Sequence, residues 1–372
     1  MQRFILRNFT LIRTLVAIAI GIAIVVMVVI LISATPGISL DSFLFGPFRS
    51  RRTMATILET ASPIIFAGLA IAVSFSAQQF YIGAEGAMYI TAAVGTAFAV
   101  STSMPWFLHA PLILVFSAVV GGVWGAIPGF LKARFNASEI VSALMLNFVA
   151  YYGGLYLINY HFRDRGAGYM VSYTLPESAW LTQFIDGTRI HWGIVLALAA
   201  AVGVWYLFFH TTPGYEIRMT GYNQRFARFG GVNTFKVIIL VHVLTGLIAG
   251  VGGMTEVMGI HRRFNWQLSP GYGWDGVIVA IIGRNHPFLI VPASLFLAYL
   301  RVGGQQLKLM SDVPGEIVLV IQSVIILLIT AQAFLGRLRR SLVIAGAEQE
   351  ELAHGRSRHT SRQKEGSGES TT

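Results

Sequence analysis

Two carboxylates stand at places where a greasy chain has little use for charge. Glu85 lies in "QQFYIGAEGAMYI", Gln78 to Ile90, between Gly83 and Gly86 and flanked by apolar residues. Asp275 repeats the order in Gly273-Trp274-Asp275-Gly276. An acid in the first turn of a helix meets unpaired backbone N–H groups and the positive end of the helix dipole. That offsets part of the ~2.5–3.5 kcal/mol that a carboxylate costs inside a bilayer. Two chemistries fit: a polar station in a transmembrane pathway, or a helix start anchored at the interface. Asn147, in the apolar run "SALMLNFVAYY", needs a hydrogen-bond partner on another helix or on a solute. His242 reads as a packed polar residue, and Glu59 and Glu256 as side chains that reach the interface. No nucleotide-binding G-x-x-x-x-G-K-[ST], H-E-x-x-H or G-x-S-x-G pattern occurs. With no cysteine in the chain, thiol nucleophiles, disulfides and Cys-ligated metal are excluded. No catalytic set or metal site is expected.

The elements that must hold these residues follow from composition. Of 372 residues, 55% are hydrophobic and 12% charged, about half the charge of a soluble domain. The mean hydropathy is +0.65, and most of the chain is expected in lipid. A span needs ~20 apolar residues. Candidates are Leu15–Ser33 (read as an uncleaved first span, not a signal peptide), Ile57–Ala77, Ala84–Thr102, Leu112–Leu131, Ile140–Tyr160, Trp192–His210, Val237–Val257, Gly276–Gly283, Phe288–Val302 and Glu316–Phe334. The expected fold is all-α and integral to the membrane, with about ten transmembrane helices. The net charge of +10 is read as basic cytoplasmic loops, with no nucleic-acid partner. Most Lys and Arg fall inside if both termini are cytoplasmic (N-in/C-in), although Arg49, Arg51 and Arg52 fall outside. Trp106, Trp180, Trp192 and Trp266 are expected near the membrane interfaces.

The two glycine–acid copies open the third and eighth spans, five spans apart. An odd separation reverses their direction through the membrane, so two five-helix halves in inverted topology are expected, with the copies marking a central pathway. Gly246 and Gly250, and Gly121, Gly122, Gly125 and Gly129, are expected to bring helices close together. The domain plan is a cytoplasmic N-terminus (1–14), a membrane domain (15–335) and a polar, disordered cytoplasmic tail (336–372) whose "RLRR" meets headgroups or anchors the last span. Two connections are long: 162–190 outside and 211–236 inside. In the inner one, Tyr215 to Phe229 is expected to form one short helix with a basic, aromatic face, ended by Gly230 and Gly231. Such a helix lies on lipid or inserts into a groove on a partner.

Four stretches in order resemble one family. Phe80-Tyr81-Ile82-Gly83-Ala84-Glu85-Gly86 is similar to F-N-I-G-A-E-G. Asn136 with Ser138-Glu139-Ile140-Val141-Ser142 and Leu144-Met145-Leu146-Asn147 is similar to N-E-V-I-S-x-L-M-L-N. Gly221-Tyr222-Asn223 through Ala227-Arg228-Phe229-Gly230-Gly231-Val232 is similar to G-x-N-P-x-A-A-R-Y-A-G-I, and Gly271 to Gly283 to G-x-G-F-D-G-I-A-V-A-L-L-G. Over roughly residues 15 to 335 the chain resembles the permease subunits of bacterial ABC importers, in the simple-sugar and nucleoside branch. The resemblance implies a multi-pass protein of the bacterial inner membrane that is not itself an enzyme and binds no cofactor. It implies cytoplasmic ABC ATPase partners that use ATP, a second permease subunit (identical or sister) and an extracytoplasmic solute-binding protein. It implies ATPase coupling through Gly214, Gly221, Asn223, Ala227, Arg228 and Gly231, and a translocation pathway near Tyr81, Gly83, Glu85, Asn147, Trp274 and Asp275. The chain departs from the pattern at Tyr81, where Asn is usual, at Ala87, where Gln is usual, and at Gln224 to Phe226. The alternatives weighed are an ion- or proton-coupled secondary transporter using Glu85 and Asp275, and a membrane enzyme, for which no acid–base cluster exists.

Overall fold

The computed structural model describes residues 33–311 together with Val26, Met27, Ile30, Val313, Val320 and Ser323. All of these except Ser323 belong to one compact unit, Val26–Gln322. The expected spans Leu15–Ser33 (but for its last residue and three others) and Glu316–Phe334 (but for Val320 and Ser323), the N-terminus 1–14 and the tail 336–372 lie outside the described residues.

Among the described residues the fold is all-helical. It has no strand, only two isolated bridges, Arg163 with Ser172 and Gln183 with His191. The helices are α1 (Pro36–Leu44), α2 (Arg51–Ser76), α3 (Ala84–Ser101), α4 (Trp106–Phe135), α5 (Glu139–His161), α6 (Gly193–His210), α7 (Thr212–Tyr222), α8 (Gln224–Phe229), α9 (Thr234–Glu256), α10 (Tyr272–Ile282) and α11 (Pro287–Met310). Six stretches are long and apolar enough to cross a membrane: α2, α4, α5, α6, α11, and α9 with its continuation to His261. Helix α3 is 18 residues long and sits almost wholly inside protein, while α10 has only 11.

The central helix is α2. Its start is fixed by a capping box: Ser50 Oγ accepts from Thr53 N at 3.1 Å, and Thr53 Oγ1 accepts from Ser50 N at 3.2 Å. From Ala61 to Ser74 every residue is buried, so this helix packs on all sides against other helices, not lipid. Around it stand α9, α10, α11 and α6.

The α4–α9 contact is backbone against backbone. A Cβ on Gly121 would collide with Gly246 O, one on Gly125 with His242 O, and one on Gly250 would stand 2.5 Å from Ser117 O. Small residues thus bring the two helices to a distance no larger side chain allows.

Three features depart from the sequence expectations. The outer connection is more than a set of turns. Ser172 N donates to Phe264 O at 3.0 Å and Leu175 N to Arg262 O at 2.9 Å, and Leu175, Ala179 and Leu181 join a buried cluster with Tyr89, Phe264 and Trp266. Trp266 therefore lies in the core and not at a lipid interface. Its carbonyl accepts from Tyr89 Oη at 2.6 Å. Lastly, α1 is an additional helix ahead of α2, begun by Pro36 at its first turn. It is tied to α11 by Tyr299 Oη donating to Leu44 O at 2.8 Å.

Candidate functional site

The two glycine–acid copies do open helices, and they meet. Glu85 is in the first turn of α3 and Asp275 in the first turn of α10. The Glu85 carboxylate reaches across to the start of α10. Oε1 accepts from Gly271 N at 2.8 Å and from Ser269 Oγ, and Oε2 accepts from Gly273 N. Thus Glu85 serves as the N-cap ligand of the other copy's helix, satisfying N–H groups that the helix itself leaves open. The glycines allow this approach. A Cβ on Gly273 would stand 2.6 Å from Glu85 N, and Gly271 takes the left-handed φ of +79° that turns the chain into α10.

Asn147, on α5, clamps the start of α3. Its Oδ1 accepts from Gly86 N at 2.9 Å, and its Nδ2 donates to Ile82 O at 3.2 Å. Gly86 packs against Asn147 without room for a side chain, and the Tyr81 ring folds over Gly83. Tyr81 is buried and lies against the His242 ring, centroids 4.5 Å apart. His242, also buried, bonds Ile238 O through Nδ1 at 2.8 Å.

Asp275 is buried and pairs with Arg301 of α11. Around this pair stands a polar group that sequence reasoning missed. Glu256 is 4% exposed, so it does not reach the interface. Its Oε1 accepts from Tyr272 Oη at 2.8 Å and lies 3.1 Å from His261 Nε2. Glu256 ends α9, and a single π turn, Val257–His261, follows, a distortion that often marks functional sites. A signal was present: Arg301 interrupts the apolar run "FLAYLRVGG", and an intramembrane cation needs a partner. Of the six expected pathway residues, Trp274 alone is largely exposed, at 51%. Glu85, Asn147 and Asp275 are engaged with protein partners.

The connection 211–236 is two helices, not one. Thr211 Oγ1 caps α7 by accepting from Gly214 N at 3.2 Å, and a Cβ on Gly214 would strike Leu207 O. The chain then breaks at Asn223, which is extended (φ −159°, ψ 107°). Asn223 Oδ1 accepts from Arg225 N and Phe226 N, both at 3.0 Å, and so caps α8. Asn competes for backbone N–H groups, which is why a helix ends and restarts there. Ala227 is buried, and Arg228 donates to Thr234 Oγ1 at 3.3 Å. Gly231, with φ +87°, closes the segment in the left-handed conformation. Gly221 presses on the end of α2: a Cβ there would collide with Ser76 O. The outward side carries bare aromatics, Tyr222 at 84% and Phe229 at 92% exposed, with Phe226 between them.

Among the described residues no group of three His, Asp or Glu side chains could hold a metal. The described part is a helical bundle whose buried charges cap and pair helices and whose α7–α8 segment packs on the end of α2 with aromatic side chains exposed. Comparison with known proteins gives the family. Residues 53–330 match the profile of the branched-chain amino acid transport system / permease component family, and the chain belongs to it. The guanosine ABC transporter permease NupP of Bacillus subtilis is 35% identical over 277 residues, covering 73% of this chain and 78% of that protein. The glucose ABC transporter permease TsgB13 of Haloferax volcanii is 33% identical over 299 residues, covering 77% and 78%. The nucleoside ABC transporter permease NupB of Lactococcus lactis is 28% identical over 296 residues, covering 76% and 80%. As a permease subunit the chain is a membrane protein and not an enzyme.

Proposed function

We propose that the chain is the membrane subunit of an ABC importer that moves a nucleoside or a simple sugar across the bacterial inner membrane. The observation that carries this reading is the α7–α8 segment. It presents aromatic side chains outward and lays Gly221 directly on the backbone that ends α2. A cytoplasmic ATPase that grips the exposed side pushes on Ser76 and Ala77. From there the chain runs through Gln78 to Gln79, Tyr81 and the start of α3, where Glu85 ties α3 to α10. Movement at the ATPase then reaches both copies of the glycine–acid element, and access alternates by a shift between two packings. Gly214, Gly221, Asn223, Ala227, Arg228 and Gly231 shape this lever, and the tie at Tyr81, Gly83, Glu85, Asn147, Trp274 and Asp275 receives its motion.

The membrane arrangement in this reading is ten helices in two inverted halves, both termini cytoplasmic, with 211–236 inside and 162–190 outside. A second permease copy or sister subunit stands along α5. That helix exposes Phe148, Tyr152, Tyr156 and Tyr160 at helical spacing. Phenol hydroxyls find no partner among lipid tails, whereas a second subunit or a wet pathway supplies one. A solute-binding protein delivers the solute from outside. The named activities of NupP, TsgB13 and NupB support a hydroxylated ring compound as cargo, and their ABC class supports ATP-driven over ion-driven transport by Glu85 and Asp275.

In membranes carrying the whole transporter, Gly221→Pro and Ala227→Asp should abolish ATP-dependent uptake of radiolabelled guanosine or glucose, while the chain still inserts at normal abundance. Uptake that survives both changes would show that the segment does not couple.

A further inference from the structure

Arg49, Arg51 and Arg52 crowd the start of α2. That helix is long and apolar enough to cross a membrane, so its first turn stands where headgroups meet the chain. The helix dipole disfavours cations at this end. With both termini cytoplasmic, the three also run against the bias of basic residues to the inside. Arg49 is matched by Asp41 of α1. Glu59, two turns further along α2, accepts from Arg189 N at 2.7 Å. Arg51 and Arg52 are exposed, and among the described residues no carboxylate forms an ion pair with either. They leave two surplus positive charges at the interface.

An apolar surface adjoins these charges. Arg51, Met54 and Leu58 share one face of α2 by their helical spacing, and Met54 and Leu58 are exposed. Ahead of the helix, Ile38 of α1, Phe45 and Phe48 are exposed as well. The segment that carries them is held in place. The 3₁₀ turn Gly46–Phe48 lies against α11, where Phe48 stacks on Tyr299 with ring centroids 5.6 Å apart. A Cβ on Gly46 would come 3.0 Å from Gln306 Cβ. Lipid tails alone leave the guanidiniums without a counter-ion. Water with a dissolved anion leaves the aliphatic and aromatic side chains bare. One amphiphile meets both demands, with an anionic head above and an acyl chain below.

We propose that α1, the Gly46–Phe48 turn and the first two turns of α2 form a binding face for an anionic phospholipid. Its phosphate meets Arg51 and Arg52, and an acyl chain runs along Met54 and Leu58. Because the turn also packs on α11, the bound lipid steadies the start of α2 against that helix. The site requires only that the chain lies in a membrane. It depends neither on the transported solute nor on coupling through α7–α8, so it stands or falls apart from the transport reading.

The test is photolabelling of the full chain in phosphatidylcholine nanodiscs. They are doped with phosphatidylglycerol carrying a diazirine in its acyl chain, and labelled residues are read by mass spectrometry. Each basic residue near an anionic lipid contributes about fivefold, so Met54 and Leu58 should be labelled roughly tenfold or more over a phosphatidylcholine probe of the same chain. Arg51→Gln with Arg52→Gln should bring the two probes level, while Arg51→Lys with Arg52→Lys keeps most of the preference. Both pairs should leave the thermal midpoint in detergent unchanged, since the side chains are exposed. Arg134→Gln with Lys236→Gln, exposed cations elsewhere, should leave the preference intact. Equal labelling by both probes, or a preference that survives the double Gln variant, overturns the proposal. Loss of labelling on adding glycerol 3-phosphate would assign the arginines to a dissolved anion and overturn the lipid. Absence of label at Met54 and Leu58 with either probe would show that protein covers the face, and overturns it too.

Discussion

The Glu85 side chain joins two helices. It begins one helix and caps another, accepting from Gly271 N, Gly273 N and Ser269 Oγ. Removing it leaves two buried N–H groups without an acceptor, at about 1–3 kcal/mol each. Glu85→Ala should therefore lower the thermal midpoint of the purified chain in detergent as well as uptake by the whole transporter. An unchanged midpoint with lost uptake would instead make Glu85 a solute-contacting residue. That Glu85 starts a helix was legible from the flanking glycines and the apolar run that follows. Its partners were not, because they lie more than 180 positions away and two of the three are backbone N–H groups, which every residue but proline offers alike. Asn147 teaches the same lesson: an amide in an apolar run must be satisfied, but the sequence does not say that Ile82 and Gly86 satisfy it. Glu256 was misread as an interfacial acid because the π turn after it, which turns His261 toward it, has no pattern in the sequence.

Among the elements, the long apolar helices were legible, since hydropathy and length decide them, but not all their ends: α2 and α4 begin six residues earlier and α11 ends eight residues later than the apolar runs suggest. Shorter helices were not legible. The break at Asn223 was hidden because "YEIRMTGYNQRF" keeps a helical rhythm on both sides; only the capping preference of Asn signals it. The outer connection was underread for a similar reason. Its order comes from packing Leu175, Ala179 and Leu181 against α9 and the stretch after it, not from local pattern. His191 ends that connection. It is buried, and its Nδ1 accepts from Gly193 N at 3.0 Å, in the first turn of α6. Burial pushes its pKa down from 6.5 to about 4. The unfolded chain thus binds the proton first, so the stability contributed by the neutral ring is full above about pH 6.5. It is lost as pH falls from there through about 4. Thermal midpoints of the wild-type chain should fall across that window. His191→Asn, which keeps an acceptor and does not titrate, should give a flatter profile. Identical profiles would show that His191 does not anchor α6.

At the scale of the whole molecule, the proposed mechanism is a lever joined to a tie. The lever is α7–α8, resting on the end of α2; the tie is the meeting of α3 and α10 through Glu85. The repeated glycine–acid pattern showed in the sequence that two helices open alike, and the aromatic residues of 215–229 that this segment forms helix; neither showed what those helices touch. The packing of Gly221 against Ser76 and Ala77 emerged only in three dimensions, since nothing in "FSAQQF" announces it. The most direct measurement of the central claim uses the absence of cysteine from the chain. A single Phe226→Cys or Phe229→Cys variant is labelled with a short photo-crosslinker in membranes containing the whole transporter. The account predicts a crosslink to the ATPase subunit that changes in yield when ATP is added. Crosslinks to lipid alone, with and without ATP, would contradict it.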